Sequence, residues 1–191
     1  MDSKLLALGR ALAARYHRPA LWLFTDARRL PDPCPAAARL PRAIAGIVFR
    51  HDEHPDRAAL ALRLARICRD RRLVMVVAGD VRLAARCHAG VHLRGGRWPV
   101  PLRRSGFLTS SAHHPGDLHR AAVAGVDLVF LSPAFKTASH PDAAGLGAVR
   151  WAGLARQARV PVAALGGIDG TTARRLPPQV CRGFGAIGAL A

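Results

Sequence analysis

Lysine is nearly missing from this chain. Lys4 and Lys136 are its only two, so arginine makes up almost all of the 29 basic residues, set against 12 acidic ones for a formal net charge of +17. Such a charge invites a nucleic-acid reading, because clustered cations gain affinity by releasing counterions from a phosphate backbone. The arginines are not clustered that way: Arg63, Arg66, Arg69, Arg71 and Arg72 recur along a helical stretch, the pattern of a solvated helix face. We therefore expect no nucleic-acid partner, only a field that attracts small anions. Cysteine is also scarce: Cys34, Cys68, Cys87 and Cys181 are far apart with no C-x-x-C spacing, which signals neither a zinc site nor a redox pair. No apolar run is long enough to cross a bilayer, and Met1-Asp2-Ser3-Lys4 leads into an Arg-punctuated helix rather than a signal peptide. The expectation is a cytoplasmic protein with no membrane partner.

What is present is apolar and regularly spaced. With 191 residues and 50% hydrophobic content, the chain is sized for one domain over residues 1–191. Leu5, Leu6, Leu8, Leu12 and Ala13 share one side of an opening helix, and a strand follows at Ala20 to Phe24. Asp26 to Pro41 reads as a loop with room for a helical turn. Strands are predicted at 44–49, 73–77, 90–93, 107–110, 126–132, 160–165 and 183–187. Helices are predicted between them at 55–71, 81–88, 117–124, 147–158 and 170–175.

Short apolar strands alternating with helices argue for an α/β fold with a parallel sheet. An open doubly wound sheet would carry a Gly-rich turn after the first strand, and Thr25-Asp26-Ala27-Arg28 has none. The fold expected is a compact (β/α)₈ TIM barrel. Strand eight should end near Ile187 and the sequence stops at Ala191, so a normal C-terminal eighth helix is not expected. The opening helix is expected to pack beside the groove between strands eight and one.

A barrel of this kind works at the C-terminal ends of its strands. After strand six comes Ser132-Pro133-Ala134-Phe135-Lys136-Thr137-Ala138-Ser139-His140, where hydroxyls, a lysine and an imidazole suit an anion. After strand seven come Gly166 and Gly167, and after strand eight Ile187 and Gly188, where backbone N–H groups can approach a phosphate.

Together with Gly90-Val91-His92-Leu93, Ser111-Ala112-His113, Ala124-Gly125-Val126-Asp127 and Leu146-Gly147, these runs occur in an order that resembles the thiamine-phosphate synthase/TenI family. The resemblance implies that Thr137, Ser139, Gly166, Gly167, Ile187 and Gly188 hold a thiazole phosphate. It puts Ser111 near a pyrimidine or its leaving diphosphate, and makes Arg50, Lys136 and His140 further substrate-site residues. A synthase of this family joins an aminopyrimidine diphosphate to a thiazole phosphate through a cation-like pyrimidine, with Mg²⁺ on the diphosphate. The metal-binding pattern departs here: its Asn-Asp pair aligns with Ala78-Gly79 and its second aspartate falls near Arg97. Asp80 is left as a weak metal candidate.

TenI relatives use the same phosphate differently, moving a proton on a thiazole carboxylate phosphate without a metal. A histidine after strand five serves them as acid or base, and His113 matches it. On residues, then, metal-independent tautomerase chemistry with no required cofactor is favoured. Mg²⁺-dependent thiamine-phosphate synthesis is the first alternative and a non-catalytic phosphate-binding barrel the second. The partner is a small phosphorylated thiazole or thiamine phosphate, with self-association left open. His51, Asp52, Glu53 and His54 read as a polar loop rather than a metal cluster, His114 as solvated, and Trp22 and Trp151 as packing residues. Trp98 before Pro99 reads as a turn anchor.

Overall fold

The computed structural model describes residues 1–97, 106–137 and 144–191. Eight parallel strands close into a barrel in chain order: β1 (Leu21–Phe24), β2 (Ala45–Phe49), β3 (Val74–Ala78), β4 (Gly90–Leu93), β5 (Leu108–Ala112), β6 (Leu128–Leu131), β7 (Val162–Leu165) and β8 (Cys181–Ala186). The described helices are α1 (Ser3–Tyr16), α2 (Cys34–Arg39), α3 (Arg57–Arg71), α4 (Val81–Arg86), α5 (Pro115–Val123) and α6 (Gly147–Gln157), with a 3₁₀ turn at Ala173–Arg175 before β8. The expected barrel is the observed one.

Because the strands are buried on both faces, they read as continuous apolar runs rather than alternating ones. The inward side chains form their own core of Trp22, Phe24, Val48, Val76, Leu128, Phe130 and Ala163, in which Trp22 and Phe24 each meet Phe130 edge-on. The outward side chains meet the helices. Trp151 is fully buried there and its indole N–H donates to the Leu131 carbonyl at 3.2 Å, pinning α6 to β6. Both tryptophans are packing residues, as read.

Three segments differ from expectation. Pro33 and Pro35 flank the start of α2, and the buried Cys34, Ala36 and Ala37 make the helical turn for which this loop had room a six-residue crossover helix between β1 and β2. The helix expected from Pro55 begins at Arg57, after a turn in which the Arg57 N–H bonds to the His54 carbonyl. The helix expected at 170–175 shrinks to one 3₁₀ turn. There Asp169 and Thr172 satisfy the local backbone, a competition that short polar side chains usually win against a helix.

As expected, α1 lies beside β8 and β1. Leu5 and Leu12 are buried, and Gly9 sits so close to β1 that a β-carbon there would fall 2.3 Å from Leu21 Cγ. Asp2 caps the helix through the N–H groups of Lys4 and Leu5, and its other carboxylate oxygen accepts from the Gly170 N–H at 2.7 Å. At the far end the Tyr16 hydroxyl donates to the Pro178 carbonyl at 2.7 Å.

Candidate functional site

The C-terminal ends of the strands surround one cleft of about 1490 Å³. That is more room than one drug-sized ligand needs. Of the residues expected at the site, Arg50, Ser111, His113, Lys136, Thr137, Gly166, Gly167, Ile187 and Gly188 all line it. Asp80 does not. Ser139 and His140, like Trp98, lie outside the described residues.

One corner of the cleft is made of backbone. Gly167 has φ +64, and a β-carbon there would meet the Lys136 carbonyl oxygen at 2.4 Å, so only glycine lets the β6 loop close over the end of β7. The Thr172 hydroxyl donates to the Gly167 carbonyl at 2.8 Å and holds this turn. After β8 the Ile187 carbonyl accepts from the N–H groups of Leu190 and Ala191, which leaves Gly188 at the head of a tight turn. Neither the Gly167 nor the Gly188 N–H meets an acceptor among the described residues. Arg29 reaches this corner from the β1 loop, its Nη2 3.9 Å from where a Gly188 β-carbon would sit. Open donors with a guanidinium beside them suit a phosphate.

His113 follows β5 and is fixed at both backbone and ring. Its N–H donates to Asp117 Oδ2 at 2.9 Å, and its Nδ1 lies 3.0 Å from the Ser132 carbonyl oxygen and 3.3 Å from the Ser132 hydroxyl. A carbonyl can only accept, so we assign the proton to Nδ1, which leaves the Nε2 lone pair available. Asp117 itself pairs with Arg120. Burial pushes its carboxyl up, but the His113 N–H, His114 and Arg120 outweigh that and hold it below the usual carboxylate value. His114 is exposed, as read, and lies 3.4 Å from Asp117. The Ser111 hydroxyl accepts from the Gly95 N–H at 3.2 Å, so it anchors the turn after β4 as well as facing the cleft.

The opposite wall is charged. Arg50 is fixed at the end of β2: its N–H donates to Thr25 Oγ1 at 2.9 Å, its Nε donates to the Thr25 carbonyl at 3.1 Å, and its guanidinium lies 5.2 Å from the Phe24 ring centre. Arg94, after β4, pairs with Asp52, which also receives Arg57 at 3.3 Å. His92 is buried on β4 with its Nδ1 2.8 Å from Thr109 Oγ1. Burial first, then the charges of Arg50 and Arg94, push its pKa down to about 3. His51 is a structural residue, fully buried and stacked on Phe49, with Nε2 3.1 Å from both the Leu30 and Pro31 carbonyls.

Sequence reasoning gave Arg29, Arg94 and His92 no role in the cleft. Arg94 and His92 carried a readable signal, since they fall at or just past the end of β4. Arg29 did not, because only the folded loop brings it to β8.

The residues present do not fit the Mg²⁺ that the resemblance implies. Gly79 has no side chain, and the place where its β-carbon would sit is 3.3 Å from Arg94 Nε, so a guanidinium occupies that neighbourhood. Asp80 is committed elsewhere, one oxygen capping α4 at the Leu83 N–H and the other receiving Arg57 at 2.6 Å. No group of three or more metal-ligating side chains gathers among the described residues.

Comparison with known proteins places this geometry. A family profile described as thiamine monophosphate synthase (TMP-TENI) matches residues 31–190. The chain is 33% identical to a thiamine-phosphate synthase of Synechococcus sp. (strain WH7803) over 80% of its own length and 46% of the relative's. It is 32% identical to that of Geobacillus kaustophilus over 71% and 65%. It thus spans less than two thirds of each of these two. The thiamine-phosphate synthase of Thiobacillus denitrificans is 32% identical over 85% of this chain and 82% of that protein. A thiamine phosphate pyrophosphorylase structure from Pyrococcus furiosus superposes with a TM-score of 0.74 over 90% of this chain and 87% of its own, at 22% identity, a likeness of fold. With the profile covering most of the barrel, the chain belongs to the thiamine monophosphate synthase family.

Proposed function

We propose that this protein is a thiamine-biosynthesis enzyme that couples an aminopyrimidine diphosphate to a thiazole phosphate. The observation that carries this reading is the open-donor corner at Gly167 and Gly188, in a chain whose similar curated proteins are named thiamine-phosphate synthases. Those names favour coupling over the tautomerase chemistry that the residues alone favoured.

In the coupling, the bond between the pyrimidine methylene carbon and the diphosphate oxygen breaks and the diphosphate leaves with the electron pair. The thiazole nitrogen then bonds to that carbon, with no net proton transfer. The corner would hold the thiazole phosphate through the Gly167 and Gly188 N–H groups, with Thr137 and Lys136 from the β6 loop. Held there, the thiazole ring projects toward the cleft centre, so orientation supplies much of the rate. The opposite arginines would offset charge on the leaving group.

A second reading keeps one observation in its favour. Among the described residues the Nε2 of His113 meets no partner while Nδ1 is tied to Ser132, the arrangement of a general base. Incubating the protein with both coupling substrates, with and without Mg²⁺, and following thiamine phosphate and pyrophosphate by chromatography tests the first reading. Failure to couple, with conversion of thiazole carboxylate phosphate to its aromatic tautomer, would establish the second. Binding without either conversion would leave a phosphate-binding barrel.

A further inference from the structure

The wall formed by β1, β2 and β4 carries charged groups that the thiazole-phosphate corner does not use. Arg50 bonds to Thr25 twice, through its main-chain N–H to Oγ1 and through its side-chain Nε to the carbonyl. Its side chain is only 35% exposed, whereas that of Arg94 is 61% exposed. Both line the same cleft, where each guanidinium charge acts on the other, and His92, kept neutral first by its burial, feels both charges. Like charges held at a concave, partly desolvated wall are relieved by an anion between them.

The acids nearby do not cancel this. Asp26 is engaged by the N–H groups of Arg28 and Arg29 and sits 3.9 Å from Arg50. Asp52 receives Arg57 as well as Arg94, so Arg94 can swing to a ligand without leaving Asp52 unpaired. An exposed ion pair of this kind holds its partners weakly.

We propose that Arg50 and Arg94 form a clamp for a diphosphate group that works without a divalent cation, Arg50 as the fixed jaw and Arg94 as the moving one. The inference rests on the coupling reading only for which diphosphate is carried. Two planar guanidiniums can each take two phosphate oxygens, which supplies the charge neutralisation that a metal would otherwise give. The displacement of a carboxylate by Arg94 beside Gly79 is then part of the site.

The test is calorimetric titration of the full chain with inorganic pyrophosphate, in EDTA and again in excess Mg²⁺. We expect binding in EDTA that Mg²⁺ does not tighten, weakened about tenfold or more in Arg94→Gln and in Arg50→Gln. Gly188→Asp, which places a carboxylate in the other corner, should retain pyrophosphate binding while losing thiazole phosphate. Should Arg50→Gln fail to fold by its melting curve, the exposed Arg94 still decides the matter. Binding that appears only with Mg²⁺, an unchanged Arg94→Gln, or loss confined to Gly188→Asp would overturn the clamp. Pyrophosphate binding in EDTA with no thiamine phosphate formed would remove the coupling reading and leave the clamp standing. Coupling that requires Mg²⁺, with no pyrophosphate bound in EDTA, would do the reverse.

Discussion

Arg57 donates from α3 to the carboxylate of Asp80 at 2.6 Å, tying the start of one helix to the cap of the next across the end of β3. Burial pushes the Asp80 carboxyl up, but the Leu83 N–H and Arg57 outweigh it and hold the group below its ordinary value. A carboxylate with a lowered folded-state pKa adds stability that is present above the unfolded value, near 4, and is lost as pH falls through the folded one. Asp80→Ala should therefore lower stability by about 1 kcal/mol at neutral pH, the usual cost of a lost helix cap, with the deficit fading below about pH 4. Denaturant melts at several pH values measure this. A larger effect of Asp80→Ala on Mg²⁺ affinity than on stability would return Asp80 to the metal candidates.

His113→Ala should leave thiazole-phosphate affinity nearly unchanged, because the ring is anchored to Ser132 and not to the Gly167 and Gly188 corner. If the proton-transfer reading holds, tautomerase rate should fall by roughly 10²–10⁴-fold. Measuring rate and affinity in parallel separates the roles, and equal losses in both would make His113 a binding residue.

Gly167→Ala should harm both binding and stability. Its β-carbon would collide with the Lys136 carbonyl from a backbone at φ +64, so the β6 loop must lift. We expect a loss of about 1–3 kcal/mol in stability and a clear drop in phosphate affinity. Thermal melting and phosphate titration would show it, and an unchanged affinity would place the phosphate elsewhere.

The barrel was legible because its eight strands are short apolar runs with turn residues between them. At β4 the expected and observed limits coincide at Gly90 and Leu93. What could not be read depends on distance along the chain. The prolines and arginines around Cys34 masked a short buried face of α2 that packs against the sequence-distant α3. His51 looked like part of a polar loop because nothing local shows that the Thr25 hydroxyl and the Leu30 and Pro31 carbonyls converge on its ring. Glycines at strand ends marked the open-donor corner at Gly167 and Gly188 in advance. Arg50 was marked by the resemblance and Arg94 by its place after β4, but the pairing that builds the wall was not, since Arg94 and Asp52 are distant in sequence and meet only across β3.

His92 gives the protein a built-in acid sensitivity. Its ring is buried between Phe24 and Phe130, and burial with the Arg50 and Arg94 charges lowers its pKa from 6.5 to about 3. A histidine held neutral in the fold but free to protonate when unfolded contributes stability that is complete above pH 6.5 and declines as pH falls toward 3. Stability should thus fall by a few kcal/mol across this window. His92→Gln, which does not titrate, should flatten the upper part, between about pH 6.5 and 4, before carboxylates contribute. Equal slopes for the two proteins there would assign the acid sensitivity to other groups.

The seating of α1 provides the last expectation. Leu5 is wholly buried and Leu12 5% exposed, and Gly9 lets the helix lie directly on Leu21 of β1. Tyr16 closes the far end, bonded to the Pro178 carbonyl and lying under the Arg182 guanidinium at 4.0 Å. Burying a leucine is worth about 1.5–3 kcal/mol, so the two leucines alone carry an amount comparable with the roughly 5–15 kcal/mol by which domains are stable. Leu5→Ala should cost about 2–5 kcal/mol through the lost contacts and the cavity left behind. Gly9→Val should destabilise as well, because its side chain must displace Leu21. Deleting residues 1–16 should lower the melting temperature sharply and uncover an apolar strip along β8 and β1, detectable as increased binding of a hydrophobic dye. If the truncated protein instead melts where the full chain does, α1 is a passive appendage and the barrel closes without it.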